Sequence, residues 1–287
     1  FHGRSGYTMS VTNTDPTKVA LFPKFPWPRI SNPYCEFDLE GNISNDVASR
    51  EAAAMAEIDA AFERFEGKVA CILIEPMQGE GGDRHFRTEF FRELRRVADE
   101  REALLIFDEV QTGFFGSGKP WLWQHKGVAP DIVSFGKKSQ VCGIYANSRI
   151  DDIAENVFKK SSRINSTWGG NLVDMVRSQR FLEIIAAEDL GKNTHARGEQ
   201  MLAGLRSVAG ESGAFSDVRG IGSLIAFTME TPEQRDKALS AFRDRGVLAL
   251  ASGEDSVRFR MPLVITADEV DGALERIADA LPLAAEA

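Results

Sequence analysis

Two short apolar runs on either side of one amphipathic segment constrain the fold of this chain more than any other feature. Residues 68–75 (KVACILIE) and 103–110 (ALLIFDEV) are unbroken apolar stretches rather than alternations, which is typical of strands buried on both faces. Residues 88–102 between them have the spacing of an amphipathic helix, with Thr88 as its predicted N-cap. Strand, helix and strand in this order predict a βαβ unit, and therefore an α/β fold with a mainly parallel sheet covered by helices.

The segments around this unit extend the sheet. PDIVSF (130–135) predicts a third strand and GIYANS (143–148) a fourth. Residues 46–66 have helical spacing and end at Gly67, whereas residues 1–45 are rich in Pro, Thr and Asn and predict loop.

After about residue 190 the pattern changes to short strands and helices that alternate, which predicts a small α+β domain. We therefore predict a large domain over residues 1–190, ending in a long connecting helix, and a small domain over residues 191–287. The features of the small domain are a helix over 192–209, an apolar strand within 215–229, helix starts at TPEQ (231–234) and TADE (266–269), and strands at VLALAS (247–252) and SVRFR (256–260).

Composition argues against several classes of function. The net charge is −9, so the chain has no general attraction for nucleic acid or anionic membranes, and its apolar runs are too short to span a bilayer. The three cysteines are odd in number and form no CxxC, and the four histidines are scattered, so neither a disulfide framework nor a metal site is predicted. A cytoplasmic location fits this cysteine usage best.

Polar side chains follow three predicted strands at the point where each strand ends. Residues 75–83 (EPMQGEGGD) follow the first strand, Asp108 to Gly113 close the second, and Lys137 and Lys138 follow the third. Ligands of open parallel sheets bind at the carboxyl ends of the strands. A carboxylate, a glutamine and a lysine could therefore converge there on one small molecule.

A lysine and an aspartate together suit pyridoxal phosphate. The lysine forms a Schiff base with the aldehyde, and the carboxylate keeps the pyridine nitrogen protonated. If the second strand runs through Val110, Asp108 and Val110 share one face of it and Glu109 points to the other. One face would then supply both a partner for the ring nitrogen and an apolar surface for the ring.

Several segments together resemble one known family, the class III, fold-type I aminotransferases that include the ornithine and 4-aminobutyrate enzymes. The segments are FHGRSGY (1–7), EPMQGEGGDRHF (75–86), LLIFDEVQTGFFGSGKPW (104–121), PDIVSFGKK (130–138) and NSTWGGN (165–171). Their joint order most resembles the lysine 6-aminotransferase branch. The resemblance implies transfer of the ε-amino group of L-lysine to 2-oxoglutarate, with pyridoxal 5'-phosphate as cofactor. Another ω-aminotransferase, for ornithine or 4-aminobutyrate, and a non-catalytic fragment of such an enzyme remain as alternatives.

The resemblance also implies roles for individual residues. Lys137, directly after SFG, matches the Schiff-base lysine, and Lys138 is its neighbour. Thr167 matches a threonine that reaches the cofactor phosphate of the neighbouring subunit, which implies a homodimer. The remaining cofactor residues would be Asp108 at the pyridine nitrogen, Val110 and Phe1 on the two ring faces, and Gln111 at the ring hydroxyl.

Four residues resemble substrate contacts of the family. Arg4 matches the arginine for the distal carboxylate, and Asn165 is a further predicted substrate contact. Glu80 and Arg258 resemble a gating pair, in which Arg258 is covered when an ω-amino donor binds and is uncovered for a 2-oxo acid. The glycines around Glu80 suggest that it moves easily.

The chain departs from the family pattern in two places. The family's phosphate-binding loop lies N-terminal to FHGR, so we expect this chain to correspond to the C-terminal two thirds of such an enzyme. Met261 in SVRFRMPL stands where the family usually has proline. GFFGSGK (113–119) is spaced like a P-loop, but Pro120 replaces the hydroxyl residue that such a loop needs.

Overall fold

The computed structural model describes residues 1–165, 167 and 169–286, with side chains as far as residue 281. Its strands form two four-stranded sheets, with the orders β1-β2-β3-β4 and β5-β6-β8-β7. The strands are β1 (Cys71–Ile74), β2 (Leu104–Asp108), β3 (Ile132–Phe135), β4 (Gly143–Ala146), β5 (Ser216–Ile221), β6 (Leu224–Thr228), β7 (Leu250–Ser252) and β8 (Ser256–Arg260).

The α-helices lie against these sheets or connect them. They are α1 (Gly6–Val11), α2 (Pro16–Val19), α3 (Val47–Arg64), α4 (Thr88–Glu100), α5 (Trp123–Lys126), α6 (Leu172–Ala187), α7 (Leu190–Ser212), α8 (Pro232–Asp244) and α9 (Ala267–Glu286). Short 3-10 helices occupy Lys137–Ser139 and Ser148–Asp152. Across the described residues, no helix is both long enough and apolar enough to cross a membrane.

The first sheet confirms the predicted βαβ unit. Strands β1, β2 and β3 are parallel, and β4 returns antiparallel to β3. The α4 helix buries Phe91 and Leu94 in a core that also contains Phe107 of β2. The prediction that the first strand is fully buried was wrong, because β1 lies at the sheet edge and all four of its residues are half-buried.

The second sheet forms the predicted small α+β unit, with one correction. Residues 215–229 contain two strands rather than one, since β5 and β6 pair antiparallel around a turn in which Gly222 has a φ of +58°. Glycine adopts such a φ more readily than other residues. Helices α7, α8 and α9 cover this sheet, and their apolar residues pack with Phe227 and Val257.

Local capping signals in the sequence were mostly reliable. Thr231 accepts a hydrogen bond from the Gln234 amide at 3.2 Å, and Thr266 exchanges hydrogen bonds with Glu269, so both predicted helix starts are confirmed. Thr88 is the first residue of α4 rather than its N-cap. The predicted N-terminal loop contains two helices, α1 and α2, which are too short for their periodicity to be read from sequence.

Candidate active site

Asp108 ends β2 at the carboxyl edge of the first sheet, beside Ser134 of β3. Its carboxylate accepts hydrogen bonds from His2 Nδ1 at 2.7 Å and from the Val110 amide at 3.1 Å. Burial acts to raise the pKa of Asp108, but the hydrogen bond and charge of His2, together with the hydrogen bond from the Val110 amide, act against it and the pKa is lowered. The structure therefore holds a buried carboxylate in its charged form at this strand end.

Glu109, the next residue, is in a different environment. Strand β2 ends at Asp108, so the premise that it continues through Val110 was wrong. Glu109 nevertheless points away from the site, where its carboxylate accepts from the Leu122 and Trp123 amides at 2.7 and 2.8 Å. Burial raises its pKa. Glu109 therefore anchors the following segment and is not available at the sheet edge.

The two adjacent lysines after β3 have different surroundings. Lys137 has a φ of +55°, and the residue as a whole is exposed. Its ammonium is partly buried, which lowers its pKa. The charges of Glu80 and Arg258 both act on this ammonium. Lys138 turns inward, donates from Nζ to the Gln111 carbonyl at 2.7 Å, and has its pKa lowered by burial to about 8.

The segment 79–83 crosses from the first sheet to the second and is bonded there through its backbone. Ser252 Oγ donates to the Gly79 carbonyl at 2.6 Å and accepts from the Gly82 amide at 3.1 Å. The Gly253 amide donates to the Glu80 carbonyl at 3.0 Å. The backbone on both sides of Glu80 is therefore held by the small unit.

Buried Arg219 adds to this attachment, because its guanidinium donates to the carbonyls of Gly82 and Asp83 at 2.6 and 3.1 Å. Gly79 and Gly82 thus allow the backbone to approach Ser252 and Arg219 closely, and they do not make the segment free to move. A Cβ at Gly79 would lie 2.5 Å from Gln111 Oε1, so a larger residue there would displace the Gln111 side chain.

Glu80 is the centre of an ion-pair cluster. Its Oε1 accepts from Arg258 Nη2 at 2.7 Å, and its Oε2 accepts from Lys18 Nζ at 2.9 Å. Partial burial acts to raise the pKa of Glu80, but the hydrogen bonds from Lys18 and Arg258 lower it to about 2. Arg258 itself is buried, with 8% of its surface exposed.

A second arginine of β8, Arg260, lies beside this cluster. It forms a bidentate pair with buried Asp83, with both N–O distances at 2.6 Å, and donates to Gln111 Oε1 at 3.2 Å. Bidentate geometry fixes both partners strongly. Arg260 therefore orients Gln111 at the same edge as Asp108.

The other predicted site residues are more peripheral. The backbone nitrogen of Phe1 contacts Glu75, and Lys18 Nζ lies 5.5 Å from the centre of the Phe1 ring. Arg4, Asn165 and Thr167 are exposed, and within the part of the chain described here no hydrogen bond or ion pair joins them to the Glu80 cluster. Ser166 and Trp168 of the NSTWGGN segment lie outside the described residues.

Sequence reasoning missed three residues of this site: His2, Lys18 and Arg260. His2 stands next to Phe1 in a segment already singled out, so its position was a usable signal. Arg260 lies two residues after Arg258 and therefore points to the same face of β8. No sequence feature indicated that Lys18 belongs to the site, because it lies in a predicted loop far from Glu80 in sequence.

Comparison with known proteins gives a consistent result. A family model described as aminotransferase class III matches residues 1–281. An L-lysine-epsilon aminotransferase of Mycobacterium tuberculosis is 50% identical over 284 residues, which are 99% of this chain and 63% of that protein. The same-named protein of Streptomyces clavuligerus is 44% identical, over 100% of this chain and 63% of its own length. The chain thus spans less than two thirds of these curated relatives.

A solved structure agrees with these relatives. Lysine aminotransferase from M. tuberculosis in the internal aldimine form superposes with a TM-score of 0.95 at 49% identity. The superposition covers 99% of this chain and 65% of that one.

Proposed function

The chain belongs to the class III aminotransferases, and on that basis we propose that it transfers the ε-amino group of L-lysine to 2-oxoglutarate with pyridoxal 5'-phosphate as cofactor. The products are glutamate and a 6-semialdehyde that can cyclise. The observation that carries the proposal is the Glu80–Arg258 ion pair, whose two charges act on the Lys137 ammonium. This arrangement suits an enzyme that must accept two substrates of different charge next to the reacting carbon.

The residues at the sheet edge fit the cofactor. The Asp108 carboxylate is buried and charged, and each of its oxygens accepts one described hydrogen bond, so a lone pair remains for a pyridinium N–H. Val110 and Phe1 would flank the ring, and Gln111 would contact the ring hydroxyl. When bound, pyridoxal phosphate supplies an electron sink for the substrate carbon.

Lys137 would hold the cofactor covalently and then carry the proton at the substrate carbon. A lysine with a lowered pKa is a better base near neutral pH than an ordinary one. Burial lowers the pKa of Lys137 in this structure, which supports this role. Lys138 is bonded to the Gln111 carbonyl and would position the turn instead.

The gating pair would select between the substrates. Lysine brings only methylenes beside the reacting carbon, so Arg258 needs the Glu80 carboxylate as partner while lysine is bound. Glutamate or 2-oxoglutarate brings a carboxylate to that place, which would take over Arg258. Arg4 would bind the distal carboxylate of either substrate through two hydrogen bonds, with Asn165 as a further contact.

A homodimer completes the proposal. Thr167 would reach the cofactor phosphate of a second subunit, and its exposure is compatible with such a contact. The site would then be shared between two copies of the chain.

The first test is cofactor attachment. Purified protein is mixed with pyridoxal phosphate, reduced with borohydride and digested, and the modified peptide is identified by mass spectrometry. We expect the pyridoxyl group on Lys137 and its loss in Lys137→Ala. Protein that binds no cofactor would instead favour a non-catalytic chain.

The second test is the choice of amino donor. Glutamate formation from 2-oxoglutarate is measured with L-lysine, L-ornithine and 4-aminobutyrate under the same conditions. We expect the highest kcat/KM with L-lysine. A higher value with ornithine or 4-aminobutyrate would reassign the substrate while leaving the reaction class intact.

A further inference from the structure

Glu80 binds a second cation besides Arg258, and the proposed gating pair does not account for it. Lys18 Nζ lies 2.9 Å from Glu80 Oε2, while Arg258 Nη2 lies 2.7 Å from Oε1. Each carboxylate oxygen therefore has its own cation. The side chains of Lys18 and Glu80 are 24% and 26% exposed, so this pair is partly shielded from water.

Lys18 is placed there by well-defined local structure. It lies in α2, whose N-cap Asp15 accepts hydrogen bonds from the amide and hydroxyl of Thr17 at 2.9 and 2.6 Å. Pro16 occupies the first helical position, and Val19 is buried. A proline at this position and a capping aspartate both stabilise a helix start. Lys18 is thus presented by a capped and anchored turn.

The backbone at Glu80 is held by Ser252 and Gly253, so opening of the gating pair requires rotation of the Glu80 side chain alone. A carboxylate that leaves Arg258 would be partly buried and unpaired unless another cation is within reach. Lys18 is such a cation, already in contact with the other oxygen.

We propose that Lys18 is a specificity-determining residue that retains Glu80 when a dicarboxylic 2-oxo acid occupies Arg258. This inference rests on the proposed function and deepens it. Without Lys18, Arg258 is the one cation that still donates a hydrogen bond to Glu80 among the described residues, so the dicarboxylate must displace Glu80 at a higher cost. With lysine as donor, Glu80 stays on Arg258 and Lys18 matters little.

The experiment compares Lys18→Met with Lys18→Arg, which keeps the charge, and with Lys68→Met as a matched control. Lys68 is exposed and precedes β1, at the edge of the sheet opposite the site, so its substitution changes net charge alone. Glutarate, an unreactive dicarboxylate, is titrated into each protein by calorimetry. The lysine and 2-oxoglutarate half-reactions of the holoenzyme are followed in single turnovers.

We expect Lys18→Met to weaken glutarate binding and slow the 2-oxoglutarate half-reaction by about twofold to fivefold, the upper part of the range for partly exposed ion pairs. The lysine half-reaction should change less than twofold. Lys18→Arg should restore binding, and Lys68→Met should behave as the unaltered protein. Equal slowing of both half-reactions by Lys18→Met would overturn the inference.

A double-substitution cycle separates action through Glu80 from direct contact with substrate. In the Glu80→Ala background, Lys18→Met should leave glutarate affinity unchanged. If it weakens binding as much as before, Lys18 binds the dicarboxylate itself and the proposed role is wrong. Unaltered protein that neither binds glutarate nor turns over lysine would overturn the proposed function, and this inference with it.

Discussion

Removal of the Glu80 carboxylate should impair one half-reaction and spare the other. In Glu80→Ala, Arg258 loses its contact at Nη2, and its Nε and Nη1 atoms already have no hydrogen-bond partner among the described residues. When lysine fills the site, the guanidinium would therefore be buried and unpaired. When 2-oxoglutarate fills it, the substrate carboxylate would take the place of Glu80.

The magnitude follows from the burial of the pair. Loss of one partner of a fully buried ion pair costs about 3–5 kcal/mol. The Glu80 side chain is 26% exposed, so water reaches part of the cluster and we reduce the cost to about 2–3 kcal/mol. That corresponds to a fall of about 30- to 150-fold in the lysine half-reaction. The 2-oxoglutarate half-reaction should change by less than about threefold, because Glu80 has left Arg258 there.

Single-turnover measurement of each half-reaction tests this directly, with the cofactor absorbance as signal. Arg258→Ala is the matched counterpart and should show the reverse asymmetry, since it removes the group proposed to bind the 2-oxo acid carboxylate. Equal slowing of both half-reactions in both variants would mean that the pair is structural. Circular dichroism and thermal unfolding serve to exclude loss of fold.

Four further predictions concern the sheet edge. Lys138→Met should retain the borohydride label at Lys137, and a label on Lys138 in unaltered protein would reverse the assignment. Asp108→Asn should lower kcat by about a hundredfold or more, since it removes a charge-assisted hydrogen bond in a dry site. His2→Ala should lower kcat by a smaller factor and raise the pKa of Asp108, which a shifted pH–rate profile would report. Burial lowers the pKa of Lys138 to about 8 from its ordinary 10.5, so the unfolded chain binds the extra proton between these values and stability rises with pH there. Lys138→Met should therefore raise the free energy of unfolding more at pH 7 than at pH 10, by about 3 kcal/mol at most. Chemical denaturation at the two pH values measures the difference.

The first sheet was predictable because its strands are short apolar runs and an amphipathic helix, α4, lies between the first two of them. The carboxyl ends of β2 and β3 bring Asp108 and Lys137 to one edge whatever the details of packing. The exact end of β2 was not predictable, since Val110 continues the apolar pattern while its amide turns back to bond Asp108. The hairpin of β5 and β6 was also missed, although its two-residue turn, Gly222 and Ser223, is a usable hairpin signal.

The Glu80 cluster shows where sequence reasoning stops. Resemblance suggested Glu80 and Arg258, which are 178 residues apart, but local patterns say nothing about such distant contacts. Lys18 lies 62 residues from Glu80 in a segment whose turn residues predict loop. Its contribution depends on tertiary packing alone, so only the folded chain could indicate it.

The glycines around Glu80 have a different physical role from the one their sequence suggests. Gly79 has no space for a side chain because Gln111 packs against it, and Gly82 has a φ of +111° that favours glycine. Both glycines are bonded to Ser252 of the second sheet. A flexible segment would let Glu80 drift from both Lys18 and Arg258, and either cation could then be left unpaired. A held backbone restricts Glu80 to side-chain rotations between two cations, so the gating that we propose depends on how the substrate carboxylate shifts the balance between those two ion pairs.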